Sequence, residues 1–436
     1  MTAEAGEQVP IYDVVGVGFG PSNLALAIAL AEHNAGPGEP VTAHFLERQP
    51  RFGWHRGMLI DTATMQVSFL KDLVTMRNPT SEFSFLNYLH AAGRLVDFIN
   101  HKNLFPLRVE FHDYFEWAAA KVDDVVSYGT EVVAVKPVYD GPEVAYFDVE
   151  ASDGSSLRAR NLVVGTGLRP QLPEGVTAGD RIWHNSELLF RMDALRGTDP
   201  KRFVVVGAGQ SAAEVAALLH GEFPRAEVCA VFARYGYSPA DDSSFANRIF
   251  DPDAVDQFYR AGEPVKDRLM RYHGATNYSA VDVDLIDELY RRVYREKVLG
   301  EERLRLFNVS RPVEVAGSGV VTIESLTTGE RTVLEADAVV YATGYRPADP
   351  TPLLGELGAR CLRDGEGRLR VERDYRLTTE SPLRGGIYLQ GGTEHTHGIT
   401  SSLLSNTAVR VGEILQSIVE RRVVAAPEEE YAVSAR

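Results

Sequence analysis

An α/β chain holding two dinucleotide-binding, Rossmann-like domains and a small, mainly helical insertion is what this sequence predicts, on three observations. The run Tyr12-Asp13-Val14-Val15-Gly16-Val17-Gly18-Phe19-Gly20-Pro21-Ser22-Asn23-Leu24 passes from a β-branched strand pattern through glycines into the helical pattern Leu24 to Leu30. The same succession of strand, glycine turn and helix recurs at Phe203-Val204-Val205-Val206-Gly207-Ala208-Gly209-Gln210-Ser211-Ala212-Ala213-Glu214. Between residues 240 and 300 the α/β alternation stops, and Val281 to Val298 carries helical spacing with charges.

Glycines belong in such turns because a phosphate reaches backbone N–H groups only where no Cβ intervenes, and the helix behind offers the partial positive charge of its N-terminus. The first turn lacks the third glycine of G-x-G-x-x-G: counted from Gly18 it ends in Pro21-Ser22-Asn23. The next strand pattern, Val41 to Glu47, closes on an acid 29 positions beyond Gly18. A carboxylate there accepts the hydrogen bonds of a ribose diol and repels a 2′-phosphate. After the second turn, Val228 to Phe232 leads to Arg234, 27 positions beyond Gly207, and a guanidinium suits that phosphate. Without the glycine turns, Glu47 would read as a strand-end acid and Arg234 as a surface cation. Set against each other, they predict FAD at the first turn and NADPH at the second.

The remaining elements follow in order. Phe52 to Leu89, dense in aromatics, reads as a cofactor-covering loop with a short helix. Strand patterns at 132–135, 145–149 and 157–164 suggest an antiparallel meander, and Leu304 to Tyr341 a second one. Each is expected to return the chain to the partner domain. A strand at Ile387 to Gly391 precedes an amphipathic helix from about Ser402 to Glu420, whose N-terminus is expected to face the flavin. The boundaries read from this are 1–198 with 331–436 for the FAD domain, 199–240 with 301–330 for the NADPH domain, and 241–300 for a substrate-binding insertion.

Charge and cysteine usage narrow the function. With 61 acidic against 45 basic residues, the net charge of −16 repels nucleic acid and anionic membranes. No run of eighteen apolar residues occurs, and Met1 to Pro10 lacks the basic and apolar regions of a leader. Cys229 and Cys361 are far apart, which suits a reducing compartment, so a cytoplasmic location is expected. The absence of a cysteine pair near the first turn excludes a disulfide reductase, leaving a dehydrogenase or a monooxygenase.

Further motifs join the two turns: Phe52-Gly53-Trp54-His55, Met65-Gln66-Val67-Ser68-Phe69-Leu70-Lys71-Asp72-Leu73, Arg77-Asn78-Pro79-Thr80-Ser81, Asp241-Asp242-Ser243-Ser244-Phe245-Ala246-Asn247, Asn277-Tyr278-Ser279 and His395-Thr396-His397-Gly398. Asp337 to Pro350 fits Asp-x3-[Leu/Phe]-Ala-Thr-Gly-Tyr-x4-[His/Pro], with Tyr341 in the Leu/Phe position. Together these resemble the microbial N-hydroxylating flavin monooxygenases of siderophore and natural-product biosynthesis, most closely the L-ornithine N5-monooxygenases. The Pro21-Ser22-Asn23 ending is that family's own pattern.

The resemblance implies hydride transfer from NADPH to FAD, formation of a C4a-hydroperoxyflavin with O2, and attack by the neutral side-chain amine of L-ornithine on the distal oxygen. It implies catalytic roles for Gln66, Lys71 and Asn247. Lys71 would pair with the substrate carboxylate, Asn247 and Asn277 would hold the amine, and Ser405 would help to close the pocket. Amides suit that task, because a carboxylate would keep the amine as an unreactive ammonium. Around FAD the resemblance places Gly18, Gly20, Pro21, Ser22, Asn23, Glu47, Trp54, His55 and Gln66. Around NADPH it places Gly207, Gly209, Gln210, Ser211 and Arg234, with Thr343, Gly344 and Tyr345 of the third motif also at a cofactor. Relatives imply a homotetramer, and no metal is expected.

Three alternatives stay open here. L-lysine is one methylene longer, a difference worth only about 1–3 kcal/mol of discrimination. A diamine would leave Lys71 without a carboxylate. An NADPH oxidase or flavin reductase would release H2O2 instead. A Baeyer–Villiger enzyme is set aside, since Ala178-Gly179 and His184 lack the spacing of its signature.

Overall fold

Residues 10–425 are described in the computed structural model; the N-terminal segment read above as leader-free and the end of the acidic tail lie outside the described residues. The strands in chain order are β1 (Ile11–Val17), β2 (Ala43–Glu47), β3 (Val126–Tyr128), β4 (Val132–Asp140), β5 (Glu143–Ala151), β6 (Ser156–Val164), β7 (Leu168–Pro170), β8 (Ile182–His184) and β9 (Arg202–Val206). They continue with β10 (Glu227–Val231), β11 (Leu304–Phe307), β12 (Ser310–Val315), β13 (Val320–Ser325), β14 (Arg331–Glu335), β15 (Ala338–Tyr341), β16 (Tyr345–Pro347) and β17 (Ile387–Leu389).

The first sheet runs β3-β2-β1-β6-β5-β4, with β17 also paired to β6. β1 is parallel to both β2 and β6, and Val14 and Val15 are fully buried, as a β-branched strand covered on both faces requires. The opening helix Pro21–Asn34 follows directly, with Pro21 in its first turn, where the missing N–H costs nothing. Its Leu24–Leu30 stretch packs on the closing helix Thr407–Ala425 through Val411, Ile414 and Ile418. Each such fully buried aliphatic side chain contributes roughly 1.5–3 kcal/mol. The chain leaves β1 at its carboxyl end, between β2 and β6, where the strand order reverses and α/β sheets bind ligands.

The second sheet, β11-β10-β9-β15-β8, is parallel throughout. It corrects the boundaries expected from sequence. β8 and β15, assigned there to the first domain, belong to this sheet, and β14 pairs with β13 in a separate antiparallel layer. The reason is burial: every residue of β15 is buried, and the slot between β9 and β8 satisfies its backbone on both edges. The chain passes between the two units at the antiparallel ladder β7–β16. The second meander accordingly shrinks to β12–β14, while β11 and β15 join the parallel sheet.

The insertion is helical as read, with helices Pro252–Arg260, Glu263–His273 and Val283–Leu299. The closing helix begins at Thr407 rather than near Ser402, because two 3-10 turns, Ile399–Ser402 and Leu404–Asn406, precede it. Ser405 therefore sits in a turn. Among the described residues no helix is long and apolar enough to cross a membrane.

Candidate functional site

The first glycine turn divides its work. Gly18 has φ +83°, and a Cβ there would stand 2.7 Å from the Gly165 carbonyl. At Gly20, which caps the opening helix, a Cβ would meet nothing within 4 Å, so an open backbone face lies beside the unpaired N–H groups of the first helical turn. Glu47 is buried; its carboxylate accepts the Phe19 N–H at 2.6 Å and the Gln49 N–H at 2.9 Å, pinning it to the turn with a lone pair left on each oxygen.

The Asn23 side chain is turned inward, under the turn. It is fully buried, donates to the Gly18 carbonyl at 2.6 Å and accepts from Gln390 Nε2 at 3.0 Å. Space for it comes from β6: a Cβ on Gly165 would lie 2.8 Å from Asn23 Nδ2. The close approach that a third glycine ordinarily grants the helix is here granted by Gly165.

At the second turn Gly207 has φ +143°, and a Cβ there would stand 2.4 Å from the Ala342 carbonyl. Gly209 caps the helix Gln210–Glu222, which places Ser211 in its first turn. Arg234 is exposed and donates to the Ser279 carbonyl at 3.1 Å, while Ser279 Cα lies 3.4 Å from where a Gly209 Cβ would stand. Arg234, Gly209 and the 277–279 loop thus share one face.

Between the turns, aromatic rings link two of the predicted motifs. Trp54 meets His55 edge-on at 4.7 Å, and Tyr345 meets His55 at 5.9 Å and His184 at 5.0 Å. Gly344 accepts from His184 Nε2 at 2.9 Å, and Thr343 donates to the Gln171 carbonyl at 2.5 Å. His55 is exposed to solvent yet closely surrounded by protein. Desolvation, with the Arg108 charge adding to it, lowers its pKa to about 4, so the imidazole is neutral near pH 7.

A chain of bonds runs from Gln66 to Arg108. Exposed Gln66 donates to Asp282 at 2.6 Å; Gln210 accepts the Asp282 N–H at 2.8 Å and donates to Glu214 at 3.0 Å; Arg108 grips Glu214 at 2.7 and 2.9 Å. Burial raises the Asp282 pKa. Neither Arg108 nor Asp282 stood out in the sequence. Asp282 is one acid among 61, and its sole cue is its place immediately before the helix Val283–Leu299.

The residues expected at the substrate come from three segments. Half-buried Lys71 holds its ammonium 5.3 Å from the centre of the Phe250 ring; burial lowers its pKa and the Asp251 charge opposes that. Among the described residues no carboxylate forms an ion pair with it. Phe250 ends the 3-10 turn Ala246–Phe250 that carries Asn247, whose Nδ2 donates to the Asp242 carbonyl at 2.7 Å. Exposed Asn277 neighbours Tyr278, which donates to Glu394. Ser405 is buried, and among the described residues no hydrogen bond joins it to Lys71, Asn247 or Asn277. His395 and His397 each direct Nε2 at a backbone carbonyl, of Leu369 at 2.7 Å and of Arg373 at 3.0 Å.

Known proteins resemble this chain over most of its length. An L-ornithine N(5)-monooxygenase of Burkholderia cepacia is 42% identical over 89% of this chain and 90% of its own. The solved ornithine N-hydroxylase of Kutzneria sp. 744, described with reduced FAD, NADP+ and L-ornithine, superposes with TM-score 0.90 at 48% identity, covering 95% of this chain and 100% of that one. An L-lysine 6-monooxygenase from Pseudomonas syringae superposes with TM-score 0.83 at 32% identity, covering 94% and 99%. The model of the L-lysine 6-monooxygenase/L-ornithine 5-monooxygenase family matches residues 10–347, and with both glycine turns and the intervening motifs in place, the chain belongs to that family.

Proposed function

We propose that this chain is an L-ornithine N5-monooxygenase using FAD, NADPH and O2. The observation that carries the reading is Lys71: a half-buried ammonium with no carboxylate partner among the described residues, beside the Asn247 turn. A substrate carboxylate would satisfy it, and a diamine offers none. Ornithine is favoured over lysine by the greater likeness to the Kutzneria enzyme, 48% against 32% identity.

The first turn fits a diphosphate, with an open backbone face at Gly20 and free N–H groups behind it. We assign FAD to Gly18, Gly20, Pro21, Ser22, the Asn23 backbone and Glu47, with Trp54, His55 and Gln66 around its ring. NADPH is assigned to Gly207, Gly209, Gln210, Ser211 and Arg234, with Thr343, Gly344 and Tyr345 alongside. Bound flavin supplies hydride acceptance and oxygen activation. The protein's share is to orient: Lys71 fixes the carboxylate, and Asn247 and Asn277 hold the amine neutral, with Ser405 closing the pocket.

Incubation with NADPH, O2 and L-ornithine, L-lysine or putrescine, assayed for hydroxylamine and peroxide, tests this. Hydroxylamine from ornithine, with far less from the other two amines, is expected; peroxide alone from every amine would make the protein an oxidase. We also propose a cytoplasmic homotetramer, to be measured by light scattering. Exposed Tyr290, Tyr294 and Val298 on one face of the helix Val283–Leu299 support subunit contact.

A further inference from the structure

The closing helix carries a cation that no other part of the site accounts for. Arg410 is 2% exposed, and every oxygen that its guanidinium touches is neutral. Nε reaches Gln390 Oε1 at 3.4 Å; Nη1 reaches the carbonyls of Thr400 at 3.3 Å and Ser401 at 2.7 Å; Nη2 reaches Ser22 Oγ at 3.4 Å and Thr407 Oγ1 at 3.2 Å. Glu413, the acid one turn along the helix, gives both its oxygens to Arg373 at 2.8 and 2.9 Å. Burying a charge without an opposite charge in contact is costly, and this one sits beside positive helix ends. Arg410 lies in the first turn of the closing helix, and through Ser22 it touches the first turn of the opening helix. Two positive helix ends and a buried guanidinium converge, an arrangement that is stabilised by an anion.

We propose that Arg410 is the counter-charge for the diphosphate of FAD, acting through the floor of the first glycine turn. The proposal rests on the assignment of FAD to that turn. The diphosphate would lie on the open side at Gly20, while Arg410 stands behind Ser22 and, through Gln390, behind Asn23, whose amide it helps to hold. The guanidinium's role is positional and electrostatic. Its charge cancels that of the ligand across a layer of neutral groups, and it keeps the turn in the shape that presents its N–H groups.

The test uses apoprotein prepared from the full chain. FAD affinity is read by flavin fluorescence, ADP affinity by competition against FAD, and NADP+ affinity separately. Arg410→Met is expected to weaken FAD and ADP by the same factor, at least tenfold, while NADP+ binding stays within twofold; Arg410→Lys restores most of the loss. FAD and ADP affinities within twofold of wild type would overturn the proposal. So would a loss for FAD without one for ADP, which would assign the charge to the flavin ring. A loss for NADP+ with FAD untouched would instead overturn the assignment of the first turn. Should Arg410→Met not fold, Arg410→Gln, which keeps hydrogen bonds and drops the charge, is compared with Arg410→Lys by the same measurements.

Discussion

At the scale of single residues, two cations test the proposed separation of substrate recognition from redox chemistry. Lys71→Ala is expected to raise the KM for L-ornithine at least a hundredfold and leave flavin reduction by NADPH near the wild-type rate. Stopped-flow reduction alongside steady-state kinetics checks this, because an ammonium that meets only the substrate carboxylate cannot affect a hydride transfer that needs no substrate. Arg234→Ala should narrow the preference for NADPH over NADH by one to two orders of magnitude, read as the ratio of the two kcat/KM values; an unchanged ratio would remove Arg234 from the 2′-phosphate. Both residues were singled out in the sequence, Lys71 through the resemblance carried by the Gln66 to Leu73 motif and Arg234 by its offset from the second glycine turn. Arg410 was not. Its burial is created by Ser22, Gln390, Thr400 and Ser401, which the chain brings together from positions up to 388 residues apart.

At the scale of elements, the first turn and β6 form one unit although more than 140 residues separate them. Gly165→Ala should push Asn23 off its bonds to Gly18 and Gln390, since the added methyl would meet its amide at 2.8 Å. Overpacking of this kind costs about 1–3 kcal/mol, and FAD retention should fall together with the unfolding temperature. The coupled replacement Gly165→Ala with Asn23→Gly, which relieves the crowding, should recover part of the loss in Tm. Element limits were less legible than element kinds. Ala338–Tyr341 reads as a buried strand in any sheet, and only its pairing with β9 and β8 decides which one. Likewise Leu403 and Leu404 suggest a closing helix that starts near Ser402, yet the chain there forms 3-10 turns, and Arg410 bonds to the Thr400 and Ser401 carbonyls.

For the whole molecule, a buried histidine ties stability to pH on the acid side. His397 is fully buried, stacked on Tyr375 at 4.1 Å, and its pKa is lowered to about 4 by desolvation, with the charges of Arg373, Arg410 and His395 adding to it. A histidine whose folded pKa lies below its unfolded value of 6.5 stays neutral in the fold and binds a proton only on unfolding. Stability is therefore full above about pH 6.5 and declines as pH falls toward 4, by up to roughly 3 kcal/mol for this one group. Denaturant titrations across that window should give a shallower decline for His397→Gln than for wild type, whatever the variant's stability at neutral pH; parallel slopes would assign the acid sensitivity elsewhere. Acid also protonates carboxylates and so relieves the self-repulsion of the net charge of −16, which works against this trend.

The ladder β7–β16 bears on how such an enzyme could have been assembled. Leu168 faces Pro347 and Tyr345 faces Pro170, so the chain departs for the second unit and comes back at adjacent points, as around the stem of a hairpin. Topologically the second unit is a guest, spliced into a single gap of a host whose sheet the chain goes on to extend with β17 beside β6. A short turn in its place would leave the host's strand order unbroken, and a different guest could occupy the same stem without any strand of the host changing neighbours.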